Sequence, residues 1–557
     1  MAGTGRLISM LDTVPRVLIV DNDERTARIY QDLVSHWGFY PVVAQGSGDG
    51  LIEDAQHKAR QYRCHLGLVD MRLIDDSDED DTSGLELVTK IKPASGIVVS
   101  GHGNIKIAMK SVQEKGAAHF VGKEDGPLAI KNALDAEILK KSASARKLKI
   151  VPADLLYLTA RTLFTESVSP EYHDQIVDAL SILFPEAQHL RLEKLLPGNS
   201  GLGLITAPRP RSVVLKVYED DFQPVIVKFA RCHKVVKEVD CFRKYIDRRL
   251  AGSFCPKMDG NVVLWDIGAI KLSYVGNIEQ TFPHFFKIEP IEKIEHTLNR
   301  FFSHTWRDHY KRSKKVSKVS LFELYCSVWG DEWFQRAVNF RPLNPEGAMG
   351  SELWSKISAK DPLSWLIEDV ANGSRKDASW VSETRTAITH GDLHADNILI
   401  DDSNNAWVVD FERTGEGHAL QDFVELESDI VNRIACNRDD YPTFFWLCLA
   451  VSAMQKIGDD SLFEFHNFSW DDDTKKLLET IAIIRRLARK CTGIEDAREY
   501  LISLLFNTIF RATIISPKTH EKSQQRALML AGIICHRIEN WNDVWPPAQW
   551  TNLLKGR

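Results

Sequence analysis

The chain has 557 residues, 44% of them hydrophobic and 26% charged, with a formal net charge of −7. At roughly 150 residues per domain that length holds three or four domain-sized units with ordinary apolar cores. The mild acidity argues against an overall nucleic-acid or membrane surface, and nine cysteines without a CxxC pair or metal-ligand spacing suit reduced thiols in a cytoplasm rather than a disulfide scaffold. MAGTGRLISMLDTVPR at the start lacks the apolar core of a signal peptide. The longest apolar run, FFWLCLAV (444–451), is too short to span a bilayer and reads as a buried helix.

RVLIVDNDE (16–24) reads as a buried strand that stops at acids, and CHLGLVDMRL (64–73) as a second that ends in Asp70. SGIVVSGHG (95–103) ends in Ser100, and AAHFVGKED (117–125) carries Phe120 and Lys123. Helix-like runs lie between them, RTARIYQDLVSHWG and NIKIAMKSVQEKG, the latter stopping at a glycine. Strands alternating with helices imply a parallel, doubly wound sheet, whose ligands gather at the carboxyl ends of the strands. The polar residues named above fall at those ends.

This pattern resembles the receiver domain of bacterial response regulators over residues 15–140, a flavodoxin-like α/β fold with five parallel strands. The resemblance implies that Asp70 is the phosphoacceptor, Asp21 an acidic metal-site residue, Ser100 the switch hydroxyl, Lys123 the lysine that pairs with the phosphoryl group and Phe120 the rotating aromatic. It also implies an upstream histidine kinase as partner. Three departures stand out: Asn22 occupies the place of the family's second acid, leaving Asp23 to rescue the metal site if the turn shifts; Glu124 replaces a proline after Lys123; and IDDSDEDDTSG (74–84) enlarges the loop after Asp70 with six acids. Such a run is ordinarily a solvated loop, with replacement metal ligands or repulsion of a partner as the functional alternative.

KKSASARKLK (140–149) is polar and without apolar periodicity, and residues 141–170 are expected to be linker. PEYHDQIVDALSILFPEAQHLRLEKL (170–195) reads as a helix followed by a strand. In the next stretch Gly198, Gly201 and Gly203 can form a loop whose backbone approaches phosphates closely. Two strand-like runs follow, SVVLKVYE and PVIVKFA, with Lys228 near the end of the second. Glu238 lies ten residues on, in the helical-looking VVKEVDCFRKYIDRRL, with Glu219 and Asp240 as other acids to choose from. NVVLWDIGAIKLSYVGN (261–277) reads as two more strands. The span 281–384 is helical in parts and carries a basic run, RDHYKRSKKVSK (307–318), expected as a solvated helix face or mobile loop, or else a substrate or partner contact.

HGDLHADNILI (390–400) packs two acids, two histidines and an amide into eight residues and then turns apolar. DDSNN (401–405) reads as a turn and AWVVDFE (406–412) as a second strand, a hairpin that can hold Asp392 and Asn397 beside Asp410. Asn397 and Asp410 supply the oxygen ligands that magnesium takes together with substrate phosphates, leaving Asp392 to orient a hydroxyl or accept its proton. That division of labour is what phosphoryl transfer asks of a protein.

Here the chain resembles the aminoglycoside and choline phosphotransferase branch of the protein-kinase-like fold, an α+β bilobal domain with a helical C-terminal lobe. The resemblance implies that Asp392 is the catalytic base, Asn397 and Asp410 magnesium ligands and His390 an organiser of the loop. It further implies that Lys228 and Glu238 pair to hold ATP phosphates behind the glycine loop, and that Asp422 buttresses the catalytic loop. DFE in place of the protein kinases' DFG points to the small-molecule branch. LLPGNSGLG has some of the character of kinase-like domains of the ternary-complex-associated type, which accompany multiprotein, defence-type assemblies in bacteria. The expected lobes are 171–280, an insert at 281–384 and 385–557. The expected protein is a cytoplasmic two-component-type signalling enzyme in which a phosphorylatable receiver governs an ATP- and magnesium-dependent transfer to a hydroxyl acceptor. The alternative is a non-catalytic nucleotide-binding adaptor. The remainder shows no helix-turn-helix motif and is not basic, which speaks against a DNA-binding regulator.

Overall fold

The computed structural model describes residues 14–75, 77–78, 80–101, 112, 116–164, 170–194, 212–220, 222–250, 254–274, 278–330, 332–340, 357, 361–373, 375–434, 441–464, 470–514 and 517–550. They form two compact units, one of Met1–Pro197, Gly203–Val236 and Met258–Tyr274, the other of Gly198–Leu202, Lys237–Lys257 and Val275–Arg557. The three glycines expected to cradle phosphates, Gly198, Gly201 and Gly203, lie outside the described residues.

The first unit opens with strands β1 (Arg16–Val20), β2 (Tyr40–Val43), β3 (Leu66–Asp70), β4 (Ser95–Ser100) and β5 (His119–Gly122). All pair in parallel in the order β2-β1-β3-β4-β5, the flavodoxin-like arrangement of the doubly wound fold. Their near-continuous Val, Ile and Leu content follows from burial on both faces. Two apolar clusters result, one with Leu18, Val69 and Val98, the other with Ile19, Leu68 and Val99. Helices α1 (Glu24–His36), α2 (Gly48–Gln61), α3 (Ser83–Lys90) and α4 (Gly126–Lys141) connect or follow the strands.

Beyond α4 the stretch expected as linker is structured: α5 (Ala143–Arg146), β6 (Lys149–Val151) and α6 (Ala153–Leu163). The Arg146 guanidinium donates to the carbonyls of Ser181, Phe184 and Ala187 at 2.7, 3.0 and 2.7 Å, taking up carbonyls that the end of helix α7 (Pro170–Leu183) leaves without intrahelical partners. A six-stranded sheet follows, in the order β10-β11-β9-β8-β7-β6. It contains β7 (His189–Lys194), β8 (Ser212–Glu219), β9 (Val225–Arg231), β10 (Met258–Val263) and β11 (Ile267–Ser273), antiparallel except where β6 pairs with β7. Between β9 and β10 runs helix α8 (Cys232–Cys241). A Cβ at Gly268 of β11 would meet Val235 of α8 at 2.6 Å, so the glycine permits this close approach.

The second unit is mostly helical around two small sheets. One pairs β12 (Ile278–Thr281) with the hairpin β15 (Ile398–Asp401) and β16 (Ala406–Val408); the other has β14 (Trp380–Thr389) between β13 (Lys314–Ser320) and β17 (Gly415–His418). The basic run is therefore neither all helix nor loop. Residues 307–311 form a short helix, and from Lys314 the chain pairs with β14, with Lys314 and Lys315 bridging Glu416 and Glu383. Clustered lysines read as solvated, but they suit an edge strand, where charge discourages pairing with other chains. Around the sheets pack α9 (Gln421–Asp429), α10 (Tyr441–Val451), α11 (Asp472–Thr492), α12 (Ala497–Ile514) and α13 (Pro517–Glu539). FFWLCLAV lies in the buried part of α10, and among the described residues no helix is long and apolar enough to cross a membrane.

Candidate functional site

At the carboxyl ends of the parallel strands, Asp21 and Asp70 are each 6% exposed and Ser100 is 2% exposed. The Lys123 ammonium reaches Asp70 Oδ1 at 2.9 Å and Asp21 Oδ2 at 3.4 Å. Burial, and then the neighbouring Asp70 charge, push Asp21 up to about 6. For Lys123, burial alone would lower the pKa, yet Asp70 and Asp21 outweigh it and raise the value. The two buried carboxylates form an all-oxygen donor set of the kind a hard cation takes. Asp23 is engaged elsewhere: its carboxylate accepts from the backbone of Arg25 and Thr26 and from the Thr26 hydroxyl, capping α1. Its own N–H donates to Asp21 at 2.9 Å. Phe120 packs, partly buried, on the cluster that contains Val69 and Val98.

The opposite, strand-entry end of this fold meets the six-stranded sheet within the same unit. Trp265, in the β10–β11 turn, packs on the same apolar cluster as Phe120 and donates its indole N–H to Cys64 O at 3.0 Å. Arg63 Nε donates to Asp266 Oδ2 at 2.5 Å, and Gln175 both donates to that carboxylate and accepts from Asp266 N–H at 2.9 Å. His65 meets Asp178 at 3.0 Å. Asp266 O in turn accepts from Cys232 N–H, at the start of α8, at 2.9 Å. Lys228, on β9, is 6% exposed.

In the second unit β14 delivers the chain to His390, which is fully buried, with its ring Nε2 3.2 Å from Val409 O. Burial lowers the His390 pKa and favours the neutral ring. Gly391 turns the chain at φ +78°, where a Cβ would stand 2.3 Å from Arg413 O. Asp392 follows, its side chain 27% exposed, with Arg413 Nη1 at 3.3 Å. Burial would raise Asp392, but the Arg413 guanidinium beside it outweighs this and holds the carboxyl well below the usual carboxylate range. Asn397 donates its amide N–H to Asp392 O at 2.8 Å, which leaves its side-chain oxygen as the atom suited to a cation. The β16 strand stops at Val408, short of the expected 412. Asp410 has φ +72°, a left-handed conformation that no strand continues and that costs a non-glycine residue roughly 1–2 kcal/mol. Phe411 N–H, just after it, donates to Glu238 at 3.4 Å, and the Phe411 ring lies against His390 and Phe242.

Under this loop lies α9, whose described side chains are all buried. Asp422 accepts from His390 N–H and Gly391 N–H at 2.9 and 3.0 Å, and from the Tyr310 hydroxyl at 2.9 Å. One turn on, Glu425 accepts from Leu393 N–H at 3.1 Å; another turn on, Asp429 accepts from Ala395 N–H at 2.8 Å. Arg433 grips Asp429 with two nitrogens at 3.0 and 2.7 Å. Arg511 of α12 stands 2.9 Å from Asp429 and 3.8 Å from Glu425.

A family model described as ternary complex associated domain 9 matches residues 347–509. No curated protein matches the chain. Among solved structures, the signal receiver domain of a Luxo repressor protein from Vibrio parahaemolyticus is 22% identical, covering 23% of this chain and 91% of its own, with a TM-score of 0.19. An aminoglycoside phosphotransferase from Streptomyces rimosus is 14% identical, covering 50% of this chain and 92% of its own, with a TM-score of 0.26. An ethanolamine kinase from Plasmodium vivax is 10% identical over 62% of this chain and 81% of its own, with a TM-score of 0.31.

The structure thus gathers Asp21, Asp70 and Lys123 at one point and joins His390, Asp392 and Asn397 in a single loop supported by Asp422. Asp23 serves as a helix cap. Glu238 meets the backbone beside Asp410. Sequence reading missed Arg413, Glu425, Asp429 and Arg511. A usable signal was present in QDFVELESD, where acids at 422, 425 and 429 recur at helical spacing.

Proposed function

We propose that the chain is a two-component-type signalling protein in which a phosphorylatable receiver governs an ATP- and magnesium-dependent phosphotransferase acting on a hydroxyl acceptor. The observation that carries the reading is the pinned loop: a partly exposed Asp392 beside Asn397, in a turn whose N–H groups are held by buried carboxylates. Asp392 orients the acceptor hydroxyl and takes its proton as that oxygen bonds to the γ-phosphorus and the bond to the departing ADP oxygen breaks. Lys228 holds nucleotide phosphates. Asn397 and Asp410 hold magnesium, which neutralises phosphate charge when bound. At the receiver, Asp70 takes a phosphoryl group from a histidine kinase, and Ser100 and Lys123 close on it. The change passes through the cluster shared by Phe120 and Trp265 to Asp266 and the start of α8.

The test is transfer from γ-labelled ATP in cell extract, comparing wild type with Asp392→Ala and Asp410→Ala. Label on a protein or small molecule, absent with both variants, supports the transferase and identifies the acceptor class. A second reading is a nucleotide-binding adaptor in a multiprotein assembly. It is favoured by the Arg413 side chain already paired with Asp392 and is in keeping with the name of the matched family. Magnesium-dependent ATP binding without transfer, abolished by Asp410→Ala and retained in Asp392→Ala, would select it.

A further inference from the structure

Residues 390–397 form an irregular turn between β14 and β15, so their N–H groups lack the strand partners that ordinarily satisfy buried backbone. Those of His390, Gly391, Leu393 and Ala395 end on carboxylates of a single helix. Asp422, Glu425 and Asp429 sit at i, i+3 and i+7, which at 3.6 residues per turn puts them on one face of α9, and their residues are 0, 2 and 1% exposed. Burying three acids costs free energy unless each is bonded or neutralised. A helix whose only task was packing would satisfy this position more cheaply with apolar residues.

We infer that Glu425 and Asp429 are positioning residues that divide the loop between them, Glu425 setting Asp392 and Asp429 setting Asn397. The inference rests on the phosphotransferase reading and refines it. The division follows from the order of contacts. Asp422 holds the residue before Asp392 and Glu425 the residue after it, so the base is clamped from both sides. Asp429 holds Ala395, the first residue of the 3-10 turn Ala395–Asn397 that ends at the amide expected to meet the cation.

The two acids differ in charge environment. Asp429 is compensated by Arg433 and Arg511, which outweigh burial and hold it well below the usual range. Glu425 lies farther from Arg511 and shares Arg413 with Asp392, and burial followed by the Asp392 charge pushes it up to about 8. A neutral glutamine therefore resembles Glu425 more closely than asparagine resembles Asp429.

The experiment uses the full chain. Magnesium is titrated against binding of a fluorescent ATP analogue, turnover is measured with γ-labelled ATP, and amide exchange is followed at residues 393–397. Asp429→Ala should raise the magnesium needed for half-maximal nucleotide binding by about 10- to 100-fold, the usual cost of losing a group that orients a metal ligand. Glu425→Ala should leave that magnesium requirement alone and lower turnover by a similar factor, with Glu425→Gln recovering most of the loss because its carbonyl still accepts from Leu393 N–H. Exchange should rise at Ala395 in the first variant and at Leu393 in the second. Thermal unfolding identifies any variant that fails to fold, in which case Arg511→Gln, which weakens the hold on both acids from outside the helix, takes its place and should move both readouts. If both variants shift magnesium dependence and turnover alike, or if exchange at 393 and 395 does not separate, the division is overturned. A wild type that binds no magnesium-nucleotide would overturn the phosphotransferase reading instead, while the exchange pattern would still judge the ladder.

Discussion

Trp265→Ala tests whether the five-stranded parallel sheet and the six-stranded sheet share one core. The indole is largely withdrawn from water against the cluster that includes Cys64, and its N–H donates to Cys64 O at 3.0 Å. Losing most of a ring that buries roughly 150–250 Å², at about 25 cal/mol per Å², removes about 4 kcal/mol. The lost hydrogen bond adds about 1 kcal/mol, and partial collapse of the turn returns some of the total. A net loss of about 3 kcal/mol lowers the melting temperature of a unit of this size by roughly 6–12 °C. Calorimetry of the full chain, with exchange assigning each transition, should show the first unit falling while the second stays in place. Trp265→Phe, which keeps a ring and loses the donor, should cost about 1 kcal/mol. A fall below about 2 °C for Trp265→Ala would refute the shared core and, with it, the route proposed from Phe120 to α8.

Lys141, half-buried at the end of α4 with its ammonium on Pro93 O, is lowered by burial to about 8 from 10.5. Below pH 8 both folded and unfolded chains hold this proton, and the half-buried charge costs up to about 3 kcal/mol. Between about 8 and 10.5 only the unfolded chain holds it, so this group's contribution to stability improves as pH rises. Lys141→Met should therefore outperform wild type most clearly below pH 8 and lose that advantage by pH 10.5, as read from denaturant midpoints. Glu427, clamped by Arg485 at 3.0 and 2.6 Å and by the Tyr500 hydroxyl at 2.6 Å, should cost about 3–5 kcal/mol on replacement by alanine. Urea unfolding should find most of that loss recovered when Glu427→Leu is combined with Arg485→Met. Gly391→Ala should abolish transfer while leaving the melting temperature within a few degrees of wild type, because the clash with Arg413 O is confined to the loop that carries Asp392.

Much of the five-stranded parallel sheet was legible because its signals are local: apolar runs that stop at Asp70, Ser100 and Lys123 imply strand ends wherever the rest of the chain lies. The loop at 390–397 was legible for the same reason, its polar groups falling within eight residues and a following hairpin. What stayed hidden depends on partners remote in sequence. Glu425 and Asp429 read as ordinary acids on a helix until the loop lies over them. Trp265 and Asp266 lay inside a run read as two strands, and it is Arg63, Cys64 and Gln175, remote in sequence, that give them a purpose. The lysines at 314–318 misled because closely spaced charge suits open solvent as well as a strand edge, and only pairing with β14 decides between them. Asp23 carried charge at a plausible metal position, but the backbone of Arg25 and Thr26 already occupies it.

The short strand β6 has a consequence for anyone who would separate this protein into its parts. Lys149–Val151 closes the outer side of the six-stranded sheet by pairing with β7. A fragment that begins after it would present the backbone of β7 as an unprotected edge, ready to recruit another chain. The segment that resembles a spacer is thus a selvedge woven into the neighbouring sheet, and expression boundaries drawn before Ser142 would preserve it while those drawn at Ala153 would unravel it.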